Sequence, residues 1–205
     1  AARMWRTCPH AKAVPGVRLV LTPDNAPPLQ TAANWLGVKP SDGPYHPLSR
    51  EIAFQGQHLA LVVAETLEQA NEAARLVRIT TETAPAIVDL DDPKVGEGRE
   101  IEPLAAAWGD AEQALAAAPV KIERRYTTPR EYNVPIEPHG LIAQWRGDEL
   151  TLWEPSQWIS GMARTYAEWF GIPFENVRLI SPYIGGGFGS KGFAYSYGAI
   201  AALAG

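Results

Sequence analysis

Apolar positions along the chain fall into two rhythms, and the switches between them mark the elements. His58 to Ala64 (HLALVVA) is a continuous apolar run, the pattern of a strand buried on both faces. Thr66 then stands three residues before Gln69, the capping-box spacing of a helix start. Leu67, Ala70, Ala74 and Val77 follow at helical spacing, with Glu68, Glu72 and Arg75 off that stripe. Val77 to Thr83 and Ala86 to Leu90 read as extended, separated by Pro85. Strand, amphipathic helix and strand predict a βαβ-type unit of an α/β or α+β domain.

The N-terminal third is less regular. Val17 to Thr22 predicts a strand after the Pro15-Gly16 turn. Six prolines between Pro23 and Arg50 predict a long ordered loop, the kind that serves function or an interface. From Asp91 to Arg99 the composition turns to Asp, Pro, Gly and Glu, a linker or domain boundary.

Beyond it the punctuation is clearer. Asp110 as N-cap and Gln113 at the third helical position predict a short helix, Ala111 to Ala118, stopped by Pro119. Val120 to Tyr126 and Leu141 to Trp145 predict strands, and Gly147-Asp148 a hairpin into Glu149 to Trp153. Ser156 can cap a helix that runs to about Phe170, with Trp158, Met162, Thr165 and Trp169 on one face. Gly171 and Pro173 stop it. Val177 to Ile180 returns as a strand, and Phe193 to Ala204, with small residues at Ala194, Gly198, Ala201 and Ala202, predicts a close-packing helix.

Composition narrows the function classes. The 205 residues are 46% hydrophobic and 20% charged, the balance of a globular protein with a buried core. A net charge of −5, with no Lys/Arg run, argues against a nucleic-acid or anionic-membrane surface. No apolar run approaches a membrane span, so the chain reads as soluble, in the cytoplasm or, if exported with a partner, the periplasm. The single cysteine, Cys8, cannot build a disulfide within the chain or an iron–sulfur site alone. His10, His46, His58 and His139 are too scattered for a local metal motif. The chain opens on Ala1 and closes on Gly205 inside a predicted helix, which reads as a fragment, a processed product or one piece of a split protein.

The stretch that promises chemistry is Tyr183-Ile184-Gly185-Gly186-Gly187-Phe188-Gly189-Ser190-Lys191-Gly192, with five glycines from Gly185 to Gly192. Glycine lets a backbone turn through positive φ and lets a ligand approach the main chain. Between a strand and a helix such a loop leaves N–H groups free for phosphate or for negatively charged oxygens. It is not a phosphate-binding P-loop, because Ser190 precedes Lys191 and Gly192 follows it. Gly187 to Gly192 matches G-x-G-x-x-G, so a nucleotide-dependent oxidoreductase stays open, although the acidic ribose partner expected about 20 residues on would fall beyond Gly205. A non-catalytic scaffold stays open as well.

The order of motifs is more specific than any one of them. Ile136-Glu137-Pro138-His139-Gly140, then Pro155-Ser156-Gln157, then Trp169-Phe170-Gly171-Ile172-Pro173, then Val177-Arg178-Leu179-Ile180 and the Gly185 to Lys191 loop resembles the molybdenum-binding subunit of the xanthine dehydrogenase and aldehyde oxidase family. Val14-Pro15-Gly16-Val17 and Leu59 to Ala64 are similar to that family's preceding α/β-hammerhead domain, and the Phe-Gly-Ser-Lys form is similar to its bacterial aldehyde oxidoreductases.

The resemblance implies an α+β chain. A partial α/β-hammerhead domain would span residues 1–95, a linker with a short helix 96–119, and the first part of a molybdopterin-binding α+β domain 120–205. It implies a molybdenum–molybdopterin cofactor, with a dinucleotide form open, held without direct metal ligation by a protein side chain. The Phe188 and Gly189 amides would lie against molybdenum oxygens, the Gln157 side chain would donate to an oxo ligand, and Gly186 and Gly187 would let the main chain approach the pterin. Glu137 and His139 read as structural.

The implied reaction is oxidation of an aldehyde or N-heterocycle with water as oxygen donor. Electrons would pass to iron–sulfur clusters and FAD on partner subunits or domains, with the Pro23–Pro47 loop a candidate contact for such a partner. Gly192 stands where purine-oxidising members carry Glu, so xanthine is not the expected substrate. The family's general base, a Glu, falls beyond Gly205 by order. The remaining half of the subunit is therefore an expected partner, and these 205 residues alone are expected to be inactive.

Overall fold

A computed structural model of the chain describes residues 2–33, 43–89, 91–96 and 106–205, with the backbone alone described for 2–7. Two compact units result, one combining Ala1–Ala86 with Asn133–Gly205 and the other Ile87–Tyr132.

The larger unit starts with β1 (Ala2–Thr7), α1 (Pro9–Ala13), β2 (Val17–Leu21), β3 (Glu51–Ile52), β4 (Leu61–Ala64), α2 (Leu67–Leu76) and β5 (Arg78–Glu82). The Thr66/Gln69 capping box that opens α2 is present in both directions. The strand at β4 is half-buried rather than enclosed, because among the described residues its sheet holds β2 as its one partner. The buried face of α2 is also rotated from the expected stripe. Ala73 packs with Ala11, Val14 and Val20, while Leu67 is 72% exposed and Ala74 lies outward. Two small residues, Ala11 and Ala73, both fully buried, let the two helices approach closely at that point.

The predicted βαβ unit of residues 58–83 is not formed. β4 pairs with β2, and β5 pairs antiparallel with β1, so the two strands lie in different sheets.

A true parallel crossover lies further along, in β6 (Ile142–Arg146), β7 (Glu149–Trp153), α4 (Ile159–Phe170) and β8 (Val177–Ile180). The short helix α3 (Ala111–Ala117) precedes these elements in the chain. β6 and β7 form the expected hairpin through Gly147, and β8 lies parallel to β7 with Leu150 opposite Val177 and Leu152 opposite Leu179. Antiparallel neighbours need only a two-residue turn, but parallel ones need a crossover, which α4 supplies. Leu150, Leu152, Val177 and Leu179 meet Met162, Ala163, Tyr166 and Trp169 of α4. α5 (Ser196–Ala204) adds Ala199 and Ala202 to this core. Each fully buried Leu contributes on the order of 2 kcal/mol here. Helix α4 opens two residues later than expected. Ser156 accepts the Trp158 N–H at 3.0 Å from outside the helix rather than serving as its N-cap.

The described parts of the proline-rich segment are built into the same core. Leu29 bridges to Tyr45, Tyr45 stacks on Trp169 at 5.1 Å, and the Gln30 N–H donates to Trp169 O at 2.9 Å. Residues 34–42, including Pro40, lie outside the described residues.

In the smaller unit, Asp110 caps α3 by accepting the Gln113 N–H at 2.8 Å. The strand expected at Val120–Tyr126 is absent. Val120 and Ile122 are each 75% exposed, and the segment has no ladder partner among the described residues. A favourable pattern makes a strand only where a second one pairs with it. Residues 86–89 are likewise irregular, and Leu90 lies outside the described residues.

One polar group sits deep in the core. Glu154 is 2% exposed, its Oε2 accepts the Tyr166 hydroxyl at 2.7 Å, and its Oε1 has no partner among the described residues. Burial pushes its carboxyl up from the ordinary value, while the Tyr166 hydrogen bond, the nearby Tyr197 hydroxyl and the neighbouring His139 act in the opposite direction. Because the folded state holds this proton more tightly, its contribution to stability is complete below the unfolded value near 4.5 and is lost as pH rises through the folded pKa. We expect Glu154→Gln to flatten the fall in thermal stability with rising pH, measured as Tm from pH 4 to 8. An identical slope in variant and wild type would assign the pH dependence to other groups. Tyr166→Phe should cost about 1–3 kcal/mol, since it leaves a second buried carboxyl oxygen without a partner.

Candidate functional site

β7 and β8 are adjacent and parallel, so the segments leaving their C-terminal ends emerge side by side. One is Glu154-Pro155-Ser156-Gln157, leading into α4; the other is Ser181 to Gly192. The Glu154 N–H donates to Ile180 O at 3.1 Å and the Ser156 N–H to Ser181 Oγ at 2.8 Å, which continues the pairing past the last ladder residues.

Gln157 and the glycine loop then lock together. Gln157 Oε1 accepts the N–H of Gly189 at 3.0 Å and of Lys191 at 3.3 Å, and the Gln157 N–H donates to Lys191 O at 2.8 Å. Since an amide oxygen only accepts, these bonds fix which way the side-chain amide faces, and Nε2 is left as a two-hydrogen donor with no acceptor among the described residues. Gly187 is buried directly against that amide, and a Cβ there would overlap it. The expectation that Gly187 is small to admit a pterin is thus revised: its missing side chain is filled by Gln157. The Gly189 amide, expected to face an external oxygen, is revised in the same way, because Gln157 takes it.

The rest of the loop sorts its peptide groups by sign. Ile184 O accepts from Lys191 Nζ at 2.5 Å, Gly185 O from the Glu137 N–H at 3.2 Å, and Gly187 O from both the Ser190 N–H and hydroxyl at 2.9 and 2.7 Å. Phe188 O accepts from Asn133 Nδ2, Gly189 O from the Gly192 N–H at 3.3 Å, and Ser190 O from His139 Nε2 at 3.0 Å. By contrast, the N–H groups of Gly185, Gly186, Gly187 and Phe188 have no acceptor among the described residues. Gly185, Gly186, Phe188 and Gly189 all have positive φ, and Phe188, at 51°, is the one described non-glycine residue with that geometry. For an L-residue this costs about 1–2 kcal/mol and is retained only where the surroundings enforce it. The Phe188 ring is 73% exposed.

Of the residues read from the sequence, Gln157, Gly186, Gly187, Phe188 and Gly189 are thus brought together. Glu137 and His139 also touch the loop, from the segment that precedes β6. Asn133 and the buried Lys191 were not singled out as site residues; Asn133 stands in no motif. The free N–H groups lie in the loop itself, not at a helix start. Helix α5 begins at Ser196, four residues past Gly192, so G-x-G-x-x-G does not open a helix as a dinucleotide fingerprint requires. Among the described residues, no three His, Cys, Asp or Glu side chains gather to ligate a metal ion.

Two cavities flank the loop. One of about 570 Å³ runs from Gly192 and Phe193 along the Trp158, Met162, Thr165 and Trp169 face of α4. The other, of about 580 Å³, lies beside Ser190 and is lined by His58, His139, Tyr195 and Tyr197. No helix among the described residues is long and apolar enough to cross a membrane.

A family model described as the molybdopterin cofactor-binding domain matches residues 96–205, and one described as the aldehyde oxidase and xanthine dehydrogenase a/b hammerhead domain matches residues 7–85. The aldehyde oxidoreductase molybdenum-binding subunit PaoC of Escherichia coli (strain K12) is 41% identical over 95% of this chain and 26% of its own length. The carbon monoxide dehydrogenase large chain of Hydrogenophaga pseudoflava is 30% identical over 88% of this chain and 25% of its own. Among solved structures, quinoline 2-oxidoreductase from Pseudomonas putida 86 superposes with a TM-score of 0.76 at 26% identity, over 99% of this chain and 28% of that one. The chain spans about a quarter of the length of the curated relatives it matches.

Gly187→Ala is expected to push the Gln157 amide aside and break its bonds to Gly189 and Lys191. Hydrogen exchange at those two amides should then quicken about tenfold. Unchanged exchange would show that Gln157 does not depend on the missing side chain.

Proposed function

The chain belongs to the aldehyde oxidase and xanthine dehydrogenase family of molybdopterin proteins, and from that premise we propose that the Gly185–Gly189 loop and Gln157 form a cradle for a molybdenum–molybdopterin group. The observation that carries this reading is the loop's one-sided hydrogen bonding. Its carbonyls from Ile184 to Ser190, Gly186 apart, are taken by the protein's own donors, while four consecutive N–H groups and the Gln157 Nε2 remain free. Such a surface suits an uncharged or anionic cluster of oxygen and sulfur acceptors, which it can hold without any ionised side chain. The residues present therefore fit the group.

When bound, the group supplies a redox centre that takes two electrons from the substrate, with water as the source of the added oxygen. The protein supplies orientation. Gln157 Nε2 is the side-chain donor toward an oxygen of the group, and Gly189 serves it indirectly by holding Gln157 Oε1. The Phe188 N–H is the main-chain donor beside it, turned outward by the left-handed backbone. Gly186 stays bare enough for the main chain to approach. The proton-accepting base is assigned to a glutamate that follows residue 205 in the order of the family's sequence, and the remaining part of the molybdenum subunit to a companion segment or chain. Electrons are assigned to iron–sulfur and flavin partners.

The substrate is an aldehyde or an N-heterocycle with an apolar body. Gly192 carries no side chain to hold a purine, and the cavity that starts there is lined by Trp158, Met162, Trp169 and Phe193.

In the complete enzyme, Gln157→Ala should lower kcat about a hundredfold, the usual effect of removing one donor from a charge-stabilising site. Elemental analysis should still find molybdenum on the wild-type protein. Wild-type turnover in the variant would take Gln157 out of the site, and a native enzyme without molybdenum would end the proposal.

A further inference from the structure

Lys191 is 1% exposed, although an ammonium group is among the costliest to bury. Its ammonium donates to Ile184 O at 2.5 Å and to Glu137 O at 2.9 Å, and the half-exposed Glu137 carboxylate forms an ion pair with it, Oε2 lying at 3.8 Å. The first of these is the carbonyl immediately before the loop turns into positive φ at Gly185. The side chain therefore reaches back beneath the glycines and ties the last part of the loop to its beginning. The second oxygen ties both to the Glu137 segment, whose N–H already holds Gly185 O. The main chain of Lys191 completes the set, since its N–H and carbonyl are both bonded to Gln157.

One residue thus connects the loop's start, the Glu137 segment and Gln157. A methionine would fill the same volume without the desolvation cost, so packing alone does not explain a lysine there. What the ammonium adds is a fixed position for the Ile184 carbonyl. The two ends of a peptide unit point oppositely, so holding Ile184 O turns the Gly185 N–H, the first of the four unpaired amides, away from the ammonium. Its positive charge, placed behind a row of amides, also favours electron-rich atoms in front of them.

We propose that Lys191 is a positioning residue for the cofactor cradle, an internal strap whose ammonium holds the Gly185–Phe188 N–H groups turned outward. This rests on the reading of the loop as a molybdopterin cradle. The test uses the complete enzyme with Lys191→Met and Lys191→Arg, measuring molybdenum per chain, the electron-spin-resonance signature of the bound metal, and hydrogen exchange at residues 185–188.

The methionine variant is expected to fold, to lose about tenfold of its molybdenum, and to exchange those amides about tenfold faster. The arginine variant, which keeps charge and donors, should load within about threefold of wild type with a shifted signature. A folded methionine variant with wild-type molybdenum and an unaltered signature overturns the proposal. Should the methionine variant not fold, the arginine variant decides, and one that folds yet loads no metal overturns it equally. A wild-type enzyme without molybdenum would instead defeat the underlying reading of the loop, which separates the two failures.

Discussion

Two backbone N–H groups converge on a single side-chain oxygen, Gln157 Oε1, and the shape of the loop around it follows from that convergence. The amide has no freedom to flip, because the reversed orientation would set NH₂ against two donors. Gly187 has to be bare, because the amide fills the space a Cβ would need. The arrangement in turn depends on topology. Gln157 and the loop come from the same ends of two neighbouring parallel strands, so a crossover helix of twelve residues is enough to bring a position near 157 against one near 189.

Beneath this contact the core carries a second polar commitment. Glu154 stands three residues before Gln157 and is tied to Tyr166 on the helix that Gln157 leads into. The strand end and the helix are therefore pinned to each other through a buried hydrogen bond as well as through apolar packing. Burial raises the Tyr166 hydroxyl, with the adjacent carboxyl adding to the effect, and burial likewise pushes the Glu154 carboxyl up from its ordinary value. The direction follows from the desolvation cost that an ionised carboxylate would meet at that depth.

Much of the site-bearing half was legible in the sequence. The Gly147 hairpin, the Gly171 stop of α4 and the small-residue helix α5 each rest on chemistry confined to a few neighbouring residues. Gln157 and the glycine loop were legible as an ordered pair of motifs. Less visible was anything decided by partners distant in the chain. The apolar run at 58–64 could not show which strands it would pair with, and Val120–Tyr126 could not show that it has no ladder partner among the described residues. The crossover was expected around α2 and found around α4, because strand–helix–strand patterns do not reveal which strands pair. Asn133 and the anchoring role of Lys191 depend on contacts 55 residues away and 54 residues away, respectively.

The separation of carbonyls from amides in the glycine loop has a consequence for what else can touch it. A β-strand from another chain adds to an exposed backbone only by alternating donors with acceptors along the edge. From Gly185 to Phe188 this protein offers donors while its acceptors, Gly186 O apart, are already occupied, so most N–H groups of an incoming strand would find no free carbonyl there. The opening is thereby a poor edge for peptide addition, although it stays receptive to small acceptor-rich molecules.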